Sequence, residues 1–119
     1  MRTRVDPIHV DLLGTGDDVD TVVTDIFALP GSDVLTLVDR STSVDEWIAD
    51  TLHTQWLIEH PGDVLGQRAV HTVTFDVESV HLDRMAELIA DMLARAGHDA
   101  AGAVVADPVP WVVRTQRAA

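Results

Sequence analysis

From Val70 to Gly97 the chain reads VHTVTFDVESVHLDRMAELIADMLARAG, and the period of its apolar positions changes once along the way. Val73, Phe75 and Val77 alternate with Thr72, Thr74 and Asp76, the period-two pattern of a half-buried strand. From Leu82 the spacing lengthens. Leu82, Met85, Leu88, Ile89, Met92, Leu93 and Ala96 share one arc of a helix, and Asp83, Arg84, Glu87, Asp91 and Arg95 fill the opposite side. Gly97 suits the residue just past the helix end.

The same reading covers the rest of the chain. Ile8, Val10 and Leu12 alternate with His9 and Asp11, a first strand, and Gly14-Thr15-Gly16-Asp17-Asp18 reads as the loop after it. Thr21 to Leu29 reads as a second strand through β-branched Val22, Val23 and Ile26. Pro30-Gly31-Ser32-Asp33 is a turn, with proline presetting φ and glycine accepting positive φ. Val34 to Asp39 returns as a third strand, giving an antiparallel meander. Ser43-Val44-Asp45-Glu46 is a capping box for a helix that ends near Glu59, before Pro61-Gly62. Val44, Ile48, Leu52 and Trp56 form its buried stripe, with Trp47 and Ile58 alongside. Ala103–Ala106 and Trp111–Thr115 read as short closing strands, and Pro108 and Pro110 mark a bend or an edge between them.

The expected order is β-β-β-α-β-α-β-β. It describes a single α+β domain over residues 1–119, with a mostly antiparallel sheet and two helices packed on one face. A chain of 119 residues can bury a core without disulfide or metal. No cysteine is present, which excludes thiol catalysis and cysteine-ligated zinc. No apolar run reaches the ~20 residues of a membrane span. Asp6 and Asp11 interrupt what would be the core of a signal peptide.

Charge changes the picture more than composition does. Twenty acids, sixteen of them aspartate, face eight arginines and no lysine, a net charge of −12. Binding phosphates needs a cationic patch, so sequence-specific nucleic-acid binding is not expected. Absence of Lys, Asn and Tyr also fits a GC-rich genome, and a salt-loving host would favour acidity; both stand beside a functional explanation. Arg2, Arg4, Arg114 and Arg117 lie at the two ends, leaving four arginines in the body against all twenty acids. Cationic tails on an anionic body can dock on a neighbouring copy, although exposed charges commonly contribute little.

Four groups of residues carry candidate chemistry. Glu46, Asp50, His53, Leu57 and His60 share a helical stripe, but His53 and His60 stand two turns apart, ~10 Å, too far for one ion. A solvated helix face explains them, and no metal or cofactor is expected. Gly14–Asp18 lacks the Gly-Lys ending of a Walker loop, and a dinucleotide loop should open onto a helix rather than a strand. The serines include no nucleophile elbow, and Ser43 and Ser79 stand where helix caps are expected. No enzyme is expected. Trp47 and Trp56 belong with the core, while Trp111, on an edge, suits a subunit contact.

The Val70–Gly97 unit, with its strand Thr72-Val73-Thr74-Phe75-Asp76-Val77, polar break and helix in the style of Met85-Ala86-Glu87-Leu88-Ile89, resembles a segment of the tail-terminator and neck proteins of long-tailed bacteriophages. Small size, antiparallel strands and the late Pro110-Trp111 are compatible with them. Those proteins usually open with a helix where this chain opens with strands, so terminator, stopper and other joining roles stay open. The resemblance implies a non-catalytic virion protein, assembled in the host cytoplasm, that forms a ring, expected to be a hexamer, at the tail end. Its partners would be copies of itself and neighbouring neck and tail-tube proteins, with no membrane. An anionic lumen would let DNA pass without adhering. Ring closure needs two different patches, and Arg2, Arg4, Trp111, Arg114 and Arg117 are the candidate interface residues. The rival reading is a small acidic binding module (an immunity protein, an antitoxin or a nucleic-acid-mimic inhibitor).

Overall fold

A computed structural model of the chain describes residues 4–42, 46–63, 65–96 and 109–116. Four strands and three helices alternate: β1 (Val5–Gly14), α1 (Gly16–Phe27), β2 (Thr36–Ser41), α2 (Glu46–Glu59), β3 (Ala69–Glu78), α3 (Leu82–Arg95) and β4 (Trp111–Thr115). The strands form one antiparallel sheet in the order β2-β3-β1-β4. The chain thus makes two β-α-β passes, β1-α1-β2 and β3-α3-β4, each leaving room for a strand of the other. This is the split βαβ connectivity of ferredoxin-like sheets, with α2 inserted where two strands would otherwise meet in a hairpin.

The α+β class and the antiparallel sheet agree with the sequence; the order β-β-β-α-β-α-β-β does not. Residues Thr21 to Leu29 are not a strand, and the predicted meander is absent, because β3 lies between β1 and β2. Propensity favoured the strand, but Val19, Val22 and Ile26 recur at helical spacing and all three are buried. The Thr21 and Thr24 hydroxyls donate to the carbonyls of Asp17 and Asp20 one turn back, at 3.0 and 2.9 Å, so the polar β-branched residues are accommodated. The stretch Gly14–Asp18 is not a loop: Gly14 ends β1, Thr15 is the N-cap and Gly16 begins α1. The Thr15 hydroxyl accepts from the Asp18 amide (3.2 Å) and Asp18 Oδ2 accepts from the Thr15 amide (2.8 Å), a capping box.

The turn at Pro30-Gly31 is as predicted. Gly31 has φ 80° and ψ 8°, and the Ser32 amide donates to the Leu29 carbonyl, a type II turn. Strand β3 also follows the pattern, since Val73, Phe75 and Val77 are buried. In α3, Leu82, Met85, Ile89 and Leu93 are buried. Ser79 does not cap that helix. Its hydroxyl donates to Asp6 Oδ2 at 2.6 Å and to the Arg4 carbonyl at 3.1 Å, tying the turn before α3 to the start of β1.

Two cores lie on opposite faces of the sheet. Ile8, Val10, Leu12, Val73, Phe75 and Val77 meet α1 and α3 on one face. On the other, Leu13 and Val70 meet Ile48, Leu52 and Trp56 of α2. Among the described residues the α-helices are therefore three rather than two, and they lie on both faces. Trp47 and Ile58 do not join the buried stripe: they are 73% and 74% exposed. The predicted Ser43 cap and Val44, Gly97, the strand at Ala103–Ala106 and Pro108 lie outside the described residues. Among the described residues, no helix is long and apolar enough to cross a membrane.

The orientation of α2 is open to a direct check. Leu52→Ala should lower stability by about 2–5 kcal/mol, whereas Leu57→Ala, on the exposed side, should change it by no more than about 0.5 kcal/mol. Urea unfolding of both variants measures this, and equal losses would contradict the packing described.

Candidate functional site

The face of the sheet that receives α2 grades from apolar to polar along the strands. Beneath α2 it presents Leu13, Val70 and Val112. Beyond the helix, β-pairing aligns two polar rows. Ser41, Thr72 and Asp11 follow one another across β2, β3 and β1 and end at Val112 of β4. One step further, Asp39, Thr74, His9 and Arg114 cross all four strands. Because alternate residues of a strand share a face, the residues between these positions on β1, β3 and β4 (Val10, Val73 and Val113) turn to the opposite, apolar core.

Asp11 is its centre. The carboxylate is 0% exposed, yet every oxygen is engaged. Oδ2 accepts from Arg114 Nε at 2.6 Å, while Oδ1 accepts from Arg114 Nη2 at 3.1 Å and from the Thr72 hydroxyl at 2.7 Å. A two-pronged guanidinium contact is the geometry that best offsets the cost of burying a carboxylate. Beside it, His9 Nδ1 lies 2.9 Å from Thr74 Oγ1. Burial, reinforced by the Arg114 guanidinium, holds the His9 imidazole below its ordinary 6.5, and the carboxylates of Asp11, Asp39 and Asp76 pull the other way.

A histidine against a hydroxyl invites a nucleophilic reading. Among the described residues, the surroundings of this pair do not supply the other parts of such a site. Thr74 lies inside a strand paired on both sides, so its neighbouring amides serve the ladder rather than an oxyanion. Among the described residues, no group of three His, Asp or Glu side chains is placed to hold a metal ion. On this face Thr72 and Arg114 bond Asp11, and His9 bonds Thr74.

A second feature sits where β1 passes into α1. A cavity of about 110 Å³ is bounded by Leu13, Asp18, Trp56, His60, Arg68 and Pro110. The His60 ring stacks on Trp56 at 4.6 Å and 14°, and the Arg68 guanidinium lies 5.5 Å from the indole centre. The Gly14–Asp18 segment does open onto a helix, contrary to the reason for which the sequence set aside an anion cradle there. Asp18 nevertheless fills the place an anion would take, and Asp17 adds a second negative charge in the first turn. A Cβ at Gly14 would meet Asp18 at 2.7 Å (Oδ2) and 2.9 Å (Cβ), so a larger residue there would displace the capping side chain.

The residues singled out by sequence are scattered differently from expectation. Arg114 is not on a loose tail but in β4, engaged by Asp11. Trp111 is half-buried against the core on the α1–α3 face. Arg4 is exposed just before β1, and Arg2 and Arg117 lie outside the described residues. His60 stacks on Trp56, whereas His53 has no part in that stack. The polar centre itself was missed as a unit. His9, Asp11, Thr72 and Thr74 carried the signal, two polar alternations in strands that prove to be neighbours. The chain was compared with models of known families, with curated proteins and with solved structures. None matches it.

Two outcomes test this electrostatic account. Arg114→Met strands a fully buried carboxylate and should cost about 3–5 kcal/mol, more than Asp11→Asn, because Arg114 is 40% exposed and keeps its water. The order of the two urea midpoints decides it. The second concerns pH. The folded chain holds the His9 proton less tightly than the unfolded chain, so stability should fall as pH drops through 6.5 and level off below the folded-state value. His9→Gln should remove that part of the slope, and an unchanged slope would contradict the assignment.

Proposed function

We propose that the chain is a non-catalytic structural protein whose copies close into a ring, a virion component of the tail–neck junction of the tail-terminator or head–tail-joining kind. The observation that supports assembly is the distribution of unsatisfied surface. The exposed large apolar side chains include Leu37 and Val38 of β2 and Trp47, Leu57 and Ile58 of α2, besides Val5, Phe27 and Val80 elsewhere. The polar cluster around Asp11, in contrast, is satisfied within one chain. Contact surface is thus available where reactive groups are not.

The charge fits the same reading. Asp17, Asp20 and Asp25 of α1 and Glu87 and Asp91 of α3 are exposed on the helical layer, across the sheet from α2. Turned toward a lumen, this layer would repel passing DNA, while α2 and the sheet edges meet neighbouring copies or neck and tail-tube proteins. The same acidic layer also favours a second reading, a small module that binds a basic partner protein.

Light scattering coupled to size exclusion, at low and high salt, separates the two. The ring reading expects one closed species of fixed mass over a range of concentration, and the binding module expects a single chain. A protein that stays monomeric at millimolar concentration overturns the ring.

A further inference from the structure

The two outer strands of the sheet are β2 and β4, and among the described residues neither has a neighbour on its outer side. An edge with unpaired amides and carbonyls is a template for another strand. Strand directions alternate across the whole sheet, so β2 and β4 run in opposite directions. Placing a second copy beside the first, in the same orientation, therefore brings its β2 antiparallel to β4. The alternation continues without a break.

Side chains select this join over the alternatives. Continuing each cross-strand row straight through sets Asp39 of the next copy beside Arg114, and Leu37 of the next copy beside Thr115. Asp39 and Arg114 share the α2 face. Two of the Arg114 nitrogens bond Asp11, which leaves Nη1 on a side chain that is 40% exposed. A β2–β2 pair of two copies would instead bring two Asp39 carboxylates to one face with no cation of β2 among them, since Arg40 points to the other face and bonds Asp20 at 2.6 Å. A β4–β4 pair would bring together two Arg114 side chains. Like charges on one ladder disfavour both. Val38 is left out of the β2–β3 register as a bulge, which bends the edge and suits a curved rather than a flat continuation.

We propose that β4 of one copy pairs antiparallel with β2 of the next, through Arg114–Asp39 and Thr115–Leu37 neighbours, so that a head-to-tail contact extends the sheet from copy to copy. This rests on the reading of the chain as a self-assembling ring protein and names the seam. The contact is heterologous, as ring closure requires. It uses two of the strands' own edges rather than the arginine tails.

The natural absence of cysteine makes a clean test. Leu37 and Thr115 are both exposed, so Leu37→Cys and Thr115→Cys should fold, which circular dichroism confirms before use. Directly opposed residues of an antiparallel pair lie within disulfide reach. Under mild oxidation the double variant should give a ladder of covalent multimers on a non-reducing gel. Each single variant, and a control pairing Thr115→Cys with Val80→Cys on the turn before α3, should stay single. A double variant that stays single while the unaltered protein is oligomeric by light scattering overturns the seam and leaves the ring standing. Efficient dimerisation of Leu37→Cys alone overturns it in favour of β2–β2 pairing. A protein that is monomeric throughout and gives no ladder overturns both.

Discussion

Strands β1 and β3 pair along ten residues, from Val5 opposite Glu78 to Gly14 opposite Ala69, and this ladder constrains everything packed on it. Both strands are central, so both of their faces are claimed. The alternation that puts Ile8, Val10, Leu12, Val73, Phe75 and Val77 against α1 and α3 leaves Asp11, Leu13, Val70 and Thr72 on the other side. A slip of one residue would exchange the two sets. It would bury His9 and Asp11 among apolar helices. The register is therefore fixed by chemistry on both faces at once, which is more than a sheet covered on a single face can offer.

Asp11 shows how that register is enforced electrostatically. Its carboxylate lies at 0% exposure and draws Thr72 from β3 and Arg114 from β4 onto one group. Three strands meet at a single charge. Such a cluster adds little net stability over an apolar replacement, but an arrangement that separated its members would leave a buried charge uncompensated, a penalty that favours the β3-β1-β4 order. With β4 only five residues long, this side-chain tie complements a short ladder.

The inserted α2 gives the molecule its asymmetry. It covers one end of the sheet through Ile48, Leu52 and Trp56 and leaves the row from Asp39 to Arg114 beyond it. Acidic helices on one side, a half-covered sheet on the other and two unlike edges make a body with four distinct surfaces. Unlike surfaces on one chain are what the proposed head-to-tail assembly would use.

Periodicity made the class legible. The alternation in β3 and the 3.6-residue arc of α3 follow directly from which residues are apolar, and the type II turn at Pro30-Gly31 follows because proline presets φ at its second position and glycine accepts the positive φ of its third. Segment 21–29 was misread because β-branched composition outweighed the spacing of Val19, Val22 and Ile26, and Thr15 with Asp18 went unread as a cap. Trp47 and Ile58 were placed inside because α2 is apolar around much of its circumference, so no single stripe stands out.

What the sequence determined by itself is local: the strand and helix between residues 73 and 95, the turn at Pro30-Gly31, and a strongly negative charge. Strand neighbours were decided only in three dimensions. The polar residues at positions 9, 11, 72, 74 and 114 look like solvated alternations in isolation, and they become two neighbouring bonded groups, His9 with Thr74 and Asp11 with Thr72 and Arg114, only when β3 enters between β1 and β2 and β4 closes on β1. Pairing over such sequence distances depends on how two apolar faces and one buried charge can be satisfied together, and no local pattern encodes that condition.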